Sequence, residues 1–360
     1  MLWATVRLER GPITTSMLAA TIEGVLGFLL AGLTLRDVFD TAVVPGRVHG
    51  SLKISRRLTF LGLPVWKRFS RRGVGVDFAP TMLVATFVVW MLFLVLGFGL
   101  MAHALRRFFE PALTTLSEGL YVAGSALATI GLGNSAAHGP AAVVVVGAGL
   151  CGLAVMTMAV TYLLEVQGHI AARDVGVLKI STTAGDPPSA IAVLERYAQL
   201  GCEDELTDIL RDGRNWCATV LQSHASHPSL IYFRTTGTGA GWPAVLGALT
   251  DLALIIQLLL DRGPGYGPSI LAREEAQRLA QDVVRLLALE PAPAETPHAE
   301  VEALCHRLAA AGYTLRADRD VPRFASERAK HASAIDALAR HLGFPGSFLL
   351  AAQDETPSPR

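Results

Sequence analysis

Two stretches of this chain carry no charge over more than twenty residues, and they limit what it can fold into. Phe78 to Ala102 (FAPTMLVATFVVWMLFLVLGFGLMA) and Gly139 to Leu164 (GPAAVVVVGAGLCGLAVMTMAVTYLL) are each as long as the roughly 20 residues a helix needs to cross about 30 Å of hydrocarbon. Lipid offers no partner for backbone polar groups, so each run is predicted to close its own hydrogen bonds as a transmembrane helix. A third run, Thr21 to Gly46 (TIEGVLGFLLAGLTLRDVFDTAVVPG), contains Glu23, Arg36, Asp37 and Asp40. Charge at membrane depth requires a partner. Arg36 and Asp40 stand one helical turn apart and can pair, which favours a true span over an interfacial helix. The run leads into LRDVFD instead of a small-residue cleavage site, which argues against a cleaved signal peptide.

The loops set the expected orientation. Between the first and second spans, residues 47–77 hold eight Lys/Arg and one Asp; the loop between the two strong spans has Arg106 and Arg107 against Glu110 and Glu118. Basic loops stay on the cytoplasmic side. The N-terminus and the second loop are therefore expected outside, and everything after about Gln167 in the cytosol of a multi-pass cell-membrane protein. The pairs at 56/57, 67/68 and 71/72 do not recur every third residue in an apolar helix, so they are not a voltage sensor. They orient the chain and attract anionic lipid headgroups.

The second loop, RRFFEPALTTLSEGLYVAGSALATIGLGNSAAHGP, carries the chemistry. Pro111 and the segment after it can start a short helix, with Glu118 near the N-terminal end, where the helix dipole favours an acid. Then follow Thr129, Ile130, Gly131, Leu132, Gly133 and Asn134. Alternating glycines permit backbone conformations that other residues resist, and such conformations can aim successive carbonyls the same way. Stacked carbonyl rings replace the water shell of a potassium ion.

Span, half-helix, glycine-bearing strand and span together resemble the pore domain of the potassium-channel family, in its bacterial form with two transmembrane helices; here an extra helix precedes it. The resemblance covers about Thr81 to Val166 and is specific in TIGLGN. It implies ion sites lined by the carbonyls of Thr129, Ile130, Gly131 and Leu132 and by the Thr129 hydroxyl. One loop supplies a quarter of each ring, so a homotetramer is implied. Permeating potassium is then the cargo, and no cofactor is expected. Three positions depart from the family pattern. Leu132 stands where Tyr or Phe is common, Asn134 where Asp is common and Ala128 where Thr is frequent, which implies potassium preference through a less rigid filter. Gly152, nineteen residues beyond Gly133, falls close to where the family places an inner-helix gating hinge; close helix packing is the alternative. His103 and His138 read as solvated loop histidines, with external pH sensing as the alternative.

After Gln167 the pattern becomes that of a helical cytosolic domain. Apolar periodicity marks helices at about 190–201, 203–225, 243–261, 272–289, 298–312 and 326–342. VLGALTDLALIIQLLL, interrupted by Asp251, reads as a buried core helix rather than a further crossing. Leu289 to Pro297 is a linker. RTTGTGAGW lacks the Lys-Ser/Thr of a phosphate cradle and reads as a flexible loop. His224 and His227 stand three apart without a nearby Cys or Asp, too little for a metal site. The four cysteines form no CxxC pair, so neither disulfides nor zinc are expected.

The fold expected is therefore an all-α membrane protein. Residues 1–46 hold the N-terminal segment and first span, 47–79 a basic linker, 80–167 the pore domain, 168–350 the cytosolic helices and 351–360 a disordered tail. Nucleic-acid binding is not expected, since residues 166–360 hold 18 Lys/Arg against 23 Asp/Glu. No nucleophile and base stand in a catalytic pattern, so an enzyme is not expected. A passive potassium-preferring channel fits best. A nonselective cation channel, or a non-conducting membrane-anchored sensor or scaffold, is the alternative.

Overall fold

The computed structural model describes residues 12–42, 54–69, 77–235 and 239–350. The expected tail at 351–360, parts of the basic linker including Arg71 and Arg72, and the centre of the 234–242 loop lie outside them. The protein is all-α, apart from one two-residue strand pair. Two compact units divide the chain. One holds the residues up to Leu61 with Thr81–Glu165, the other Gly62–Pro80 with Val166 onward.

The first unit is built from α1 (Pro12–Ala42), the start of α2 (Ile54–Phe69), α3 (Phe78–Ala104) from Thr81 on, α4 (Leu116–Leu127) and α5 (Pro140–Ala184) as far as Glu165. α1, α3 and α5 are long and apolar enough to cross a membrane, as the uncharged runs predict. A core of Ala31, Val38, Trp90, Leu94, Phe98, Ala123, Leu127, Ala148 and Val155 joins them. Large apolar side chains on the other faces stay exposed, among them Phe28 on α1, Leu92 on α3 and Leu150 on α5, the surface expected of helices whose solvent is lipid.

Each acid of the first span has a partner. Glu23 Oε1 lies 2.7 Å from His103 Nδ1. Asp37 is buried, accepts the Trp90 indole N–H at 2.8 Å and accepts the Ile54 backbone N–H at 3.2 Å. Asp40 pairs with Arg36 at 3.7 Å, the pairing their spacing predicts.

α5 continues past the apolar run as far as Ala184, because no breaker interrupts EVQGHIAARDVGVLKISTTA; Gly185, in the left-handed region, ends it. The second unit then follows as α6 (Ala190–Leu200), α7 (Leu206–Ser226), α8 (Gly241–Leu258), α9 (Tyr266–Leu286), α10 (His298–Ala310) and α11 (Val321–Leu342). All six predicted helices are present. Ser189 and Asp320 cap the starts of α6 and α11, and left-handed Gly201 and Gly343 end them. α8 is a fourth helix apolar enough for a membrane, but its apolar window is 94% buried, with α9 and α11 packed against it. A crossing helix would need a lipid-facing side, so the core-helix reading of this run fits its place.

The acid that interrupts that run is fully enclosed. Asp251 on α8 accepts from Arg328 Nε at 3.1 Å and lies 2.7 Å from His331 Nε2, both on α11. Arg328 also donates to the Thr296 hydroxyl at 3.3 Å, so the linker before α10 is tied down. Removing one member of a buried ionic group strands the others, at a cost of about 3–5 kcal/mol. Asp251→Ala is expected to destabilise this unit by that amount in denaturant unfolding followed by near-ultraviolet dichroism.

His224 on α7 is buried, with its Nδ1 2.7 Å from the Val220 carbonyl, an oxygen that can only accept. Burial first, and then the Arg173 charge, push its pKa from 6.5 down to about 3. Between those values the unfolded chain binds a proton that the folded unit refuses. The contribution to stability is therefore full above pH 6.5 and falls as pH drops toward 3, by up to about 1.4 kcal/mol per pH unit. Melting of His224→Gln across pH 7 to 4 is expected to show a shallower acid loss than the parent.

Candidate functional site

The loop between α3 and α5 is held by a short helix and a strand pair, both set by local chemistry. α4 starts at Leu116, later than the Pro111 start expected from sequence, because Thr115 and Glu118 form a capping box. The Thr115 hydroxyl accepts the Glu118 N–H at 3.4 Å, and the Glu118 carboxylate accepts the N–H groups of Thr115 at 3.4 Å and Thr114 at 2.6 Å. Those bonds, led by the Thr114 backbone, hold the Glu118 carboxyl below the usual range. Glu118 does more than complement the dipole. Pro111 stays outside the helix, after a cis peptide bond with Glu110. Buried Gly119, Ala123 and Leu127 form the inward face of α4.

At the C-terminal end of α4 the chain reverses. The Ser125 carbonyl accepts the N–H groups of Ile130 at 2.9 Å and Gly131 at 3.4 Å, and the Ala126 carbonyl accepts that of Thr129 at 2.9 Å. Past the loop, β1 (Phe109–Glu110) pairs antiparallel with β2 (Ala136–Ala137), and the His138 N–H donates to the Phe108 carbonyl at 2.8 Å. The segment of interest is thus fixed at both ends.

Within it, Thr129 has φ +58° and Gly131 φ +70°, so the left-handed conformation recurs at alternate residues. In an extended strand successive carbonyls face opposite sides; reversing the hand at every second residue brings neighbours toward one side. No hydrogen bond reaches the carbonyls of Thr129 to Asn134 among the described residues. All six residues are exposed, including the apolar Ile130 and Leu132 at 62% and 58%. The structure therefore brings Thr129, Ile130, Gly131, Leu132, Gly133 and Asn134 together as a tethered loop with unbonded acceptors. Sequence reasoning placed the conformational burden on Gly131 and Gly133. The left-handed pair is Thr129 and Gly131 instead. The Ser125 anchor leaves no mark in residue type, because its acceptor is a backbone carbonyl.

Gly152 lies on uninterrupted α5 against the end of α4: a Cβ there would stand 2.0 Å from the Leu127 carbonyl oxygen. That close approach accounts for glycine at 152 through packing. His103 sits on α3 against Glu23, half-buried and not solvated as expected from sequence; His138 is 3.5 Å from Glu110 with both side chains largely exposed. Comparison of the chain with protein-family models, curated proteins and solved structures finds no match.

Gly152→Ala is expected to destabilise the first unit by at least about 1–3 kcal/mol, because a backbone carbonyl cannot yield as a side chain does. Gly147→Ala on the same helix, where a Cβ meets nothing within 4 Å, is expected to leave stability unchanged. Thermal unfolding of both variants in detergent compares them directly, and equal melting would contradict the packing assignment.

Proposed function

We propose that the protein is a passive, potassium-preferring ion channel in which four copies of the chain bring their 129–134 loops around one axis. The observation that carries this reading is the tethered loop itself. The N–H groups of Ile130 and Gly131 are tied back to Ser125 and that of Thr129 to Ala126, the hand alternates at Thr129 and Gly131, and the loop carbonyls remain unbonded among the described residues. Backbone acceptors at membrane depth without partners are costly unless a cavity or an ion satisfies them. A fourfold ring supplies both a cavity and a cation. The same ring covers Ile130 and Leu132, whose exposure in a single chain is otherwise unfavourable. Potassium is the cargo, held by carbonyls of Thr129 through Leu132 and by the Thr129 hydroxyl. The C-terminal helical unit, on the cytoplasmic side by the charge bias of the loops, assembles or regulates the pore, and the basic linker favours anionic lipid.

Liposomes holding the purified full-length protein, given a potassium gradient and then a sodium gradient, test the proposal. Expected is flux that is strong with potassium, weak with sodium and lost in Gly131→Ala, where a Cβ has room but the left-handed backbone costs about 1–2 kcal/mol. Equal flux of both ions points to a nonselective cation pore. Silence from folded tetramers, whatever the voltage or pH, would overturn conduction and leave a membrane-anchored sensor or scaffold.

A further inference from the structure

His103 is the residue of α3 at which two neighbouring helices meet. Its side chain turns to α1, where Nδ1 lies 2.7 Å from Glu23 Oε1, and the two side chains are only 17% and 21% exposed. Its backbone faces α4. A Cβ on buried Gly119 would stand 3.2 Å from His103 Cβ, 3.3 Å from the His103 backbone nitrogen and 2.8 Å from the carbonyl oxygen of Gly99, one turn earlier on α3. The approach is as close in return, since a Cβ on Gly99 would stand 3.0 Å from Leu120 Cα. Glu23, His103 and Gly119 all lie in the first unit.

α1 has little room to slip on α3. A Cβ on Gly27 would meet the Gly97 carbonyl oxygen at 2.5 Å, and one on Gly97 would meet the Gly27 carbonyl oxygen at 2.9 Å. Small residues let two backbones approach this closely, and a polar pair beside them sets how the helices are turned. Glu23, one turn before Gly27, supplies that pair. An ionised carboxylate only accepts, so the facing ring nitrogen of His103 donates, in a bond strengthened by charge. α4 in turn presents the Ser125 carbonyl that receives the N–H groups of Ile130 and Gly131.

We propose that Glu23 of α1 is a positioning residue of the 129–134 loop, acting through His103 and α4. Loss of its charge lets the end of α3 turn, α4 follows through the contacts at Gly99 and Gly119, and the Ser125 carbonyl moves from its two donors. Interiors packed this closely transmit displacement, because a backbone contact cannot yield as a long side chain does. The first apolar helix is then a working part of the loop's support. That the loop conducts is the reading above, and only the flux arm of the test rests on it.

Deuterium exchange of the full-length protein in detergent, followed by mass spectrometry, tests the role. Expected in Glu23→Gln and in His103→Gln is at least about tenfold faster exchange of the Ile130 and Gly131 amides, since losing a charged hydrogen bond eases local opening. Amides of α3 around Leu94, in the core of the same unit, should keep the parent's rate. Exchanging the partners, Glu23→His with His103→Glu, is expected to restore slow exchange, which a loss of packing at either position would not allow. Arg36→Gln removes the exposed partner of Asp40 on the same helix and should leave the loop unchanged. In liposomes the potassium-to-sodium flux ratio should fall in both single variants and recover in the exchanged pair. Unaltered loop exchange in both single variants, equal acceleration around Leu94, no recovery in the exchanged pair, or an unaltered flux ratio would overturn the positioning role. Exchange needs no conduction, so a silent parent that shows the exchange pattern overturns the channel reading alone.

Discussion

The loop between α4 and α5 depends on one acceptor, the backbone carbonyl of Ser125. Near its C-terminus a helix has carbonyls that no further turn can satisfy. α4 gives this one to the N–H groups of Ile130 and Gly131, residues that lie beyond the helix. That single arrangement satisfies the helix end, reverses the chain and commits the donors of Ile130 and Gly131 to the helix. The acceptors of the same peptides are then left over as a set. The capping box at the other end of α4 and the contact at Gly152 fix the helix that presents the carbonyl.

In the first apolar helix, by contrast, each acid is given a partner. Glu23 and Asp37 would each be prohibitive in hydrocarbon if unpaired. Both are answered from α3, by His103 and Trp90, and Asp37 also fixes the backbone N–H at the start of α2. The acids that weaken the hydropathy of α1 are therefore what specify its neighbour and its register. An apolar helix without them would have only shape to choose its packing in lipid.

The long apolar helices, the short helix between α3 and α5 and all six C-terminal helices were legible in the sequence because each is a local pattern: an uncharged run, an acid near a helix start, a period of 3.6. The start of α4 was legible only to within a few residues, since Pro at the first helical position and a Thr/Glu capping box are both valid start signals and the box sits later. What was hidden depends on distance along the chain. Asp251 finds His331 80 residues away, and His169 finds His227, 58 positions along. His224 and His227 looked like a pair because three residues is helical spacing, yet α7 ends between them and sends their rings to different neighbours. Gly152 was ambiguous between hinge and packing, and only the approach of the Leu127 carbonyl could distinguish them.

Thr129 bears most on what the loop is for. A β-branched residue at φ +58° is a strained choice, costing on the order of 1–3 kcal/mol. Glycine at 129 would remove that strain and keep the alternation with Gly131. Glycine would also delete a hydroxyl at the one point where the helix hands over to the unbonded carbonyls. Strain persists where the surroundings over-determine it, and here the Thr129 N–H is fixed to Ala126 while the next two are fixed to Ser125. On the channel reading the hydroxyl adds an oxygen at the inner end of the carbonyl column, which glycine cannot supply. A loop whose only task was to connect two helices would have no use for that oxygen.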